Sequence, residues 1–302
     1  MDHSLITIGI TCFNAEGSIE QAIKSAQNQT WTNIEIIVVD DASSDGSVAR
    51  IRKMARTDQR INLICHDINK GYPSALNTIL RHANGEFVAI FDDDDVSVPD
   101  RLLQQWRRLT AYETERNTGL VFCYSNRDVI RPGEEEPYNI AYAIGRQSPE
   151  PHGTAVADYI LWRGGDRKFV WGMFGSCTLM ARRSSFQKMG KFDEEFRRSA
   201  EWDMAIRFSF AGGHFIAVDQ SLVVQRKTPT SDKSRKISLH YAQKLRRKYK
   251  DYLKRNGVYW ASIIIGYSGK RKYRLRYNII RILSCLAAPR RIFWDRLLAR
   301  FK

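Results

Sequence analysis

The first 125 residues alternate between two hydrophobic periods. Residues 5–11, 34–40, 61–66, 86–92 and 119–125 are short apolar runs rich in Ile, Val and Phe, which read as strands. Between them, residues 18–28, 47–56, 72–83 and 100–115 space their apolar positions as helices do. Repeated β-α-β units of this length predict a Rossmann-like, mostly parallel sheet with helices on both faces. In such sheets ligands bind beyond the carboxyl ends of the strands. The pattern then loosens. Residues 126–175 are irregular and rich in aromatics, followed by a strand at 176–181, helices at 184–189 and 201–211, and a pair of short strands within 214–226.

Composition fits a folded protein: of 302 residues, 43% are hydrophobic and 11% aromatic. The five cysteines are widely spaced and form no C-x-x-C pair, which favours reduced thiols over a disulfide framework or a zinc site. No basic region followed by an apolar one marks a secretory signal, and the longest apolar stretch, residues 258–267, is too short to cross a bilayer. The net charge of +15 is unevenly shared: residues 233–302 carry 21 Lys and Arg against the two acids Asp251 and Asp295. The body, 1–232, is therefore mildly acidic and the remainder a strongly basic extension.

The sharpest local feature is four consecutive carboxylates, Asp92, Asp93, Asp94 and Asp95, behind the apolar run 87–91. Adjacent carboxylates repel, and a hard divalent cation taking oxygen ligands offsets that repulsion. A polar helix cap is the plainer explanation, because Pro99-Asp100 opens a helix-like stretch. An EF-hand loop counted from Asp92 fails, with Ser97 where Gly is needed and Leu103 where Glu is needed. Asp40 and Asp41 end the second strand as the cluster ends the fourth, so two carboxylate groups reach one rim of the sheet.

Six segments in order resemble glycosyltransferase family 2, the inverting nucleotide-sugar transferases of GT-A fold. They are Thr11-Cys12-Phe13-Asn14; Val38-Val39-Asp40-Asp41 running to Ser47; Asn69-Lys70-Gly71 with Ala75-Leu76-Asn77; and Ala83-Asn84-Gly85-Glu86-Phe87. The aspartate cluster before Pro99-Asp100-Arg101-Leu102 follows, and then Gly190-Lys191-Phe192-Asp193-Glu194 before Ala200-Glu201-Trp202-Asp203 and Arg207. The resemblance spans about residues 5–230. It implies a donor-nucleotide half at 1–125 and an acceptor half at 126–232, and it leaves 233–302 as the basic extension, read as helical from its own residues.

The resemblance also implies roles. Thr11, Asn14, Asp41, Lys70, Asp92 and Asp93 are expected around the donor nucleotide, with Asp41 accepting from a uracil-like base edge. Asp94, with Asp92, is expected to hold Mn²⁺ or Mg²⁺, which neutralises charge developing on the leaving diphosphate. Register against Arg207 places Glu201 as the general base for the acceptor hydroxyl, with Asp203 as the alternative. On a helix the two point roughly 200° apart, so only one can serve. Helix and turn capping is the plainer account of Asp41, and a favourable helix-dipole charge that of Glu201. The sequence departs from the family at Arg226-Lys227-Thr228-Pro229, where Thr228 stands in place of a histidine, and at Leu76, which replaces a frequent basic residue.

The implied activity is transfer of a sugar from a nucleotide-diphosphate donor, expected to be a UDP-sugar, to a hydroxyl of a glycan or lipid-linked acceptor in surface polysaccharide synthesis. A nucleotidyltransferase is the rival enzyme, but its Gly-rich basic loop is missing from residues 11–17. A third reading is a non-enzymatic protein acting through its basic extension. That extension interleaves aromatics with charge at 244–250, 270–277 and 290–294, as membrane-surface helices do. An anionic membrane is the expected partner rather than nucleic acid, since no nucleic-acid motif accompanies the charge. The expected location is the cytoplasm, peripheral on the inner face of the membrane; nothing in the sequence sets the oligomeric state.

Overall fold

A computed structural model describes residues 4–164, 166–226 and 235–267. It divides into two compact units, Met1–Val156 with Asp166–Pro229, and Ala157–Gly165 with Thr230–Lys302.

The first unit opens with β1 (Ile6–Cys12), α1 (Ile19–Gln27), β2 (Ile34–Asp40), α2 (Ser47–Ala55), β3 (Ile61–Cys65), α3 (Tyr72–His82) and β4 (Phe87–Asp92). All four strands pair in parallel, in the spatial order β3-β2-β1-β4. β1 and β4 are buried at nearly every position, as expected of strands covered on both faces. The chain builds outward from β1 to β3 and then returns to β1's other side with β4. That reversal opens a crevice at the strand ends, where Thr11 lies level with Asp92 and Cys12 with Asp40.

β5 (Asp95–Ser97) and α4 (Arg101–Arg116) follow, then β6 (Val121–Ile130), β7 (Asn139–Ala141) and α5 (Thr154–Trp162). A 3-10 turn at Ser176–Thr178 leads into β8 (Met180–Arg182), α6 (Arg183–Met189), α7 (Ala200–Phe210) and β9 (His214–Arg226). β8 runs antiparallel to both β4 and β6, so it joins the parallel half to the rest of a nine-stranded sheet. Beneath α7, Phe122 and Phe208 stack at 3.6 Å, with Phe215 edge-on to both.

Several element expectations are corrected. The strand expected at 176–181 is a 3-10 turn plus a three-residue strand. The pair of strands expected within 214–226 is one strand, whose register against β6 jumps between Ser125↔Val218 and Asn126↔Ser221. β6 outruns its expected end at 125 because β7 and β9 both pair with its second half. β5 escaped the reading altogether: Asp-Val-Ser has no strand pattern, and only pairing with β9 makes it one.

In the second unit Asp158 accepts from the Trp162 indole and the Tyr252 hydroxyl at 2.9 and 2.7 Å. Three helices follow, α8 (Arg235–Lys248), α9 (Lys250–Arg255) and α10 (Tyr259–Tyr267). No helix among the described residues is long and apolar enough to cross a membrane. The basic segments at 270–277 and 290–294, like Lys227 and Thr228, lie outside the described residues.

Candidate active site

Three loops meet at the crevice. The loop after β1 is tied to the loop after β2 by Asn14: its N–H donates to Ser43 Oγ at 2.9 Å, and its side-chain Oδ1 accepts from the Ser44 N–H at 2.8 Å. Asn14 adopts a left-handed φ of 50°, which Asn tolerates better than most residues. So Asn14, expected beside the donor, has its carbonyl committed to the protein's own backbone.

Asp41 sits almost fully buried behind that loop. Its Oδ1 accepts from the His66 ring at 2.7 Å and the Lys70 N–H at 2.9 Å, and its Oδ2 accepts from the Gly71 N–H at 2.7 Å. An ionised carboxylate offers about four acceptor positions, so about one is left for a ligand. Gly71 needs its glycine here, because presenting that N–H takes a φ of 91° just ahead of α3. What Lys70 commits is its backbone N–H, with the residue itself exposed. Leu76, in place of the frequent basic residue, is fully buried in α3.

The four aspartates have four different surroundings. Asp92 ends β4, and its Oδ1 accepts from the Tyr72 hydroxyl at 3.1 Å. Burial and the charge of Asp94 push it up to about 6, with Tyr72 and Arg127 pulling the other way. Asp93 accepts the Phe13 N–H at 2.9 Å and so anchors the β1 loop; burial pushes it up to about 8. Asp94 lies half-buried at the turn between β4 and β5. Asp95 opens β5 at 4% exposure, and neither of its oxygens has a nitrogen or oxygen donor; the Cys177 thiol is turned toward it. Burial and the charges of Asp92 and Asp94 push Asp95 to about 8.

Ligand atoms of Asp92, Asp95 and Cys177 lie within 4.8 Å of one another. Arg127 faces this group from β6, its Nη1 3.5 Å from Cys177 Sγ, while its Nε is buried without a partner. Gly175 makes room for it, since a Cβ there would stand 1.8 Å from Arg127 Nη1. Arg101 is wholly buried: it donates to Gln105, Ser97 Oγ and the Ile90 carbonyl, and lies over the Phe91 ring. It therefore clamps β5 against β4 and fixes where the aspartate turn emerges. Repelling carboxylates and two orphaned Asp95 oxygens are what a divalent cation at this turn would relieve. The group brought together is Asp92, Asp95 and the Cys177 thiol, with the expected ligand Asp94 outside it, so its two carboxylates, rather than the whole donor set, suit an oxygen-liganded ion.

Glu201 stands in the first turn of α7. Burial raises its pKa, against the pull of its own backbone N–H, Arg198 and Arg127. Its charge acts on Asp92, Tyr72 and Tyr124, so it lies within electrostatic range of the end of β4. Asp203, the alternative base, is fully buried and bonded to Arg207 Nε at 3.0 Å, and Arg207 also holds the Met189 and Lys191 carbonyls. That pair secures the α6–α7 connection. Arg226 ends β9 and donates to the Glu134 carbonyl at 3.4 Å.

Tyr72, Arg127, Ser176 and Cys177 are contacts that sequence reasoning missed. Only their coming together in space identifies them. A sequence signal did exist for Asn77, whose side chain donates to the Phe192 carbonyl at 3.0 Å and accepts its N–H at 2.7 Å. The two motifs it joins lie 115 residues apart.

Comparison with known proteins agrees with this architecture. The model of glycosyl transferase family 2 matches residues 7–163. The UDP-Glc:alpha-D-GlcNAc-diphosphoundecaprenol beta-1,3-glucosyltransferase WfgD of Escherichia coli is 34% identical over 130 residues, 43% of this chain and 48% of that protein. The putative glycosyltransferase EpsH of Bacillus subtilis is 30% identical over 194 residues, 64% of this chain and 53% of that one. The chain thus spans about half the length of these relatives. Among solved structures, S. aureus TarS aligns with a TM-score of 0.62 at 16% identity, over 96% of this chain and 50% of TarS. The mannosyltransferase PcManGT of Pyrobaculum calidifontis, solved with GDP-Man and Mn²⁺, aligns at 0.55 and 17% identity, over 95% and 76%. At such identities these structures speak to the fold, which is GT-A. With the family model covering just over half of the sequence, the chain belongs to glycosyl transferase family 2.

Proposed function

We propose that this protein is an inverting glycosyltransferase that moves a sugar from a UDP-linked donor to a hydroxyl of a glycan or lipid-linked acceptor. What supports this is that residues 70–72 link Asp41 to Asp92 at the strand ends, with Glu201 within electrostatic range of Asp92. Asp41 reads the base edge through its remaining acceptor position, with Thr11 one residue ahead of the Cys12 carbonyl that takes the Asp41 N–H. Asp94 with Asp92 would hold Mn²⁺ or Mg²⁺, which when bound supplies Lewis-acid neutralisation of the diphosphate. Glu201 takes the proton from the acceptor hydroxyl as that oxygen attacks the anomeric carbon from the face opposite the leaving nucleotide. One in-line displacement inverts the anomeric configuration, and the bond to UDP breaks as the new glycosidic bond forms. A raised carboxylate pKa suits a base, because it strengthens the affinity for the proton taken from the acceptor hydroxyl.

A lipid-linked acceptor is supported by the E. coli relative, whose name specifies a diphosphoundecaprenol substrate. The basic extension favours the same setting: each Lys or Arg near an anionic leaflet contributes about 1 kcal/mol, which would keep the enzyme on the inner membrane face beside its acceptor. Screening UDP-Glc, UDP-GlcNAc and GDP-Man for binding and transfer with Mn²⁺ tests the reading. Binding of a UDP-sugar, with turnover lost in Asp94→Asn, is expected. No nucleotide-sugar binding by the intact chain in the presence of Mn²⁺ would sink it.

A further inference from the structure

The residue that follows the two N–H groups held by Asp41 is Tyr72, and its hydroxyl reaches Asp92. Three consecutive residues therefore bridge the two carboxylate groups of the crevice: Lys70 and Gly71 donate backbone N–H groups to Asp41, and Tyr72 reaches Asp92 Oδ1 at 3.1 Å. The same phenol oxygen lies 2.8 Å from Ser176 Oγ, in the 3-10 turn that also carries Cys177. We infer that Tyr72, set by Ser176, is a positioning residue that fixes the Asp92 carboxylate for a divalent cation.

Proton counting fixes the direction of this relay. A phenol has one proton to donate and an ionised carboxylate only accepts, so Tyr72 donates its hydrogen bond to Asp92 and Ser176 must donate to Tyr72. Oδ1 of Asp92 is thereby occupied on one side and the carboxylate loses its freedom to swing away from Asp94, whose negative charge repels it. The phenol cannot easily follow such a swing. Tyr72 opens α3 ahead of Pro73, and residues 73–79 of that helix are all buried. Its backbone is further held through Gly71 by Asp41. Ser176 is itself buried, so the Tyr72 oxygen has a fixed partner on each side. Partners that orient a ligand carboxylate in this way commonly set metal affinity as strongly as some ligands do.

This inference rests on the proposed role of Asp92 beside the cation, and the experiment separates the two. Mn²⁺ binding to the full chain is followed by the loss of the free-ion electron paramagnetic resonance signal, with UDP present, for wild type, Tyr72→Phe, Ser176→Ala and Ser176→Thr. Tyr72→Phe is expected to weaken Mn²⁺ binding about 10- to 100-fold. Ser176→Ala should weaken it less, Ser176→Thr should restore it, and UDP affinity without metal should stay within about twofold because the Asp41 contacts survive. If wild type binds no Mn²⁺, the cation site of the proposed function fails and this inference with it. If wild type binds and Tyr72→Phe binds equally well, only the positioning role is overturned. Should Tyr72→Phe not fold, Ser176→Ala against Ser176→Thr decides: equal Mn²⁺ affinities refute the relay.

Discussion

Replacing Asp41 by Asn changes one atom and the charge, and the structure says what that disturbs. In the native site Oδ1 takes the His66 ring and the Lys70 N–H, and Oδ2 takes the Gly71 N–H. An amide keeps one acceptor oxygen. If it stays toward His66 and Lys70, the new NH₂ group faces the Gly71 N–H, donor against donor. Leaving that N–H unsatisfied costs about 1–3 kcal/mol, and the two surviving bonds each lose roughly 1 kcal/mol of ionic reinforcement. The sum is about 3–5 kcal/mol, or a fall in Tm of roughly 10 °C for a domain of this size. Differential scanning fluorimetry at pH 7 reads that shift, and UDP titration of the same variant should show weakened binding. A melting temperature within about 2 °C of wild type would mean that these three donors do not depend on the carboxylate, and the reasoning would be wrong.

Glu201→Gln should lower kcat about 10²- to 10⁴-fold with little change in donor KM. Because burial raises Glu201 above the ordinary 4.5, wild-type kcat/KM should rise with pH through a limb placed above that value, and the variant should lack the limb. Glu35 works in the opposite sense. Burial alone would raise it, but donors from Thr7, Asn84 and Gly85 outweigh burial and hold it below 4.5. Its contribution to stability is therefore present above pH 4.5 and lost as pH falls through its lowered folded value. The gap in Tm between wild type and Glu35→Gln should close over that range, and a gap unchanged down to pH 3 would refute the assignment.

The parallel half was legible because its strands are set by local pattern: β2 is found at the expected residues 34–40, and the helices of that half match within one or two residues. The antiparallel additions were legible only in part: β8 falls at the end of the strand expected at 176–181, while β5, three residues long, exists only through a partner far along the chain. The site shows the same divide. Six motifs announced which loops matter, yet the four aspartates are chemically identical in the sequence. What separates them is that Phe13 faces Asp93, Tyr72 faces Asp92, and Cys177 faces Asp95. Likewise, Glu201 and Asp203 are two residues apart on one helix, and only the Arg207 pairing reveals that the second is occupied.

The pairing of Asp95 with Gln225 has a consequence for how the molecule is made. β1, β2 and β3 pair with strands close to them in the chain, and β4 closes on β1, which is already made. β5 differs: its partner strand is translated about 125 residues later, and closing so long a loop is slow. Until β9 arrives, a cluster of four negative charges hangs from the edge of an otherwise finished half-sheet. The crevice at the parallel strand ends thus precedes a fixed acidic turn in the order of synthesis, which ties the final shape of that turn to the last strand of the sheet.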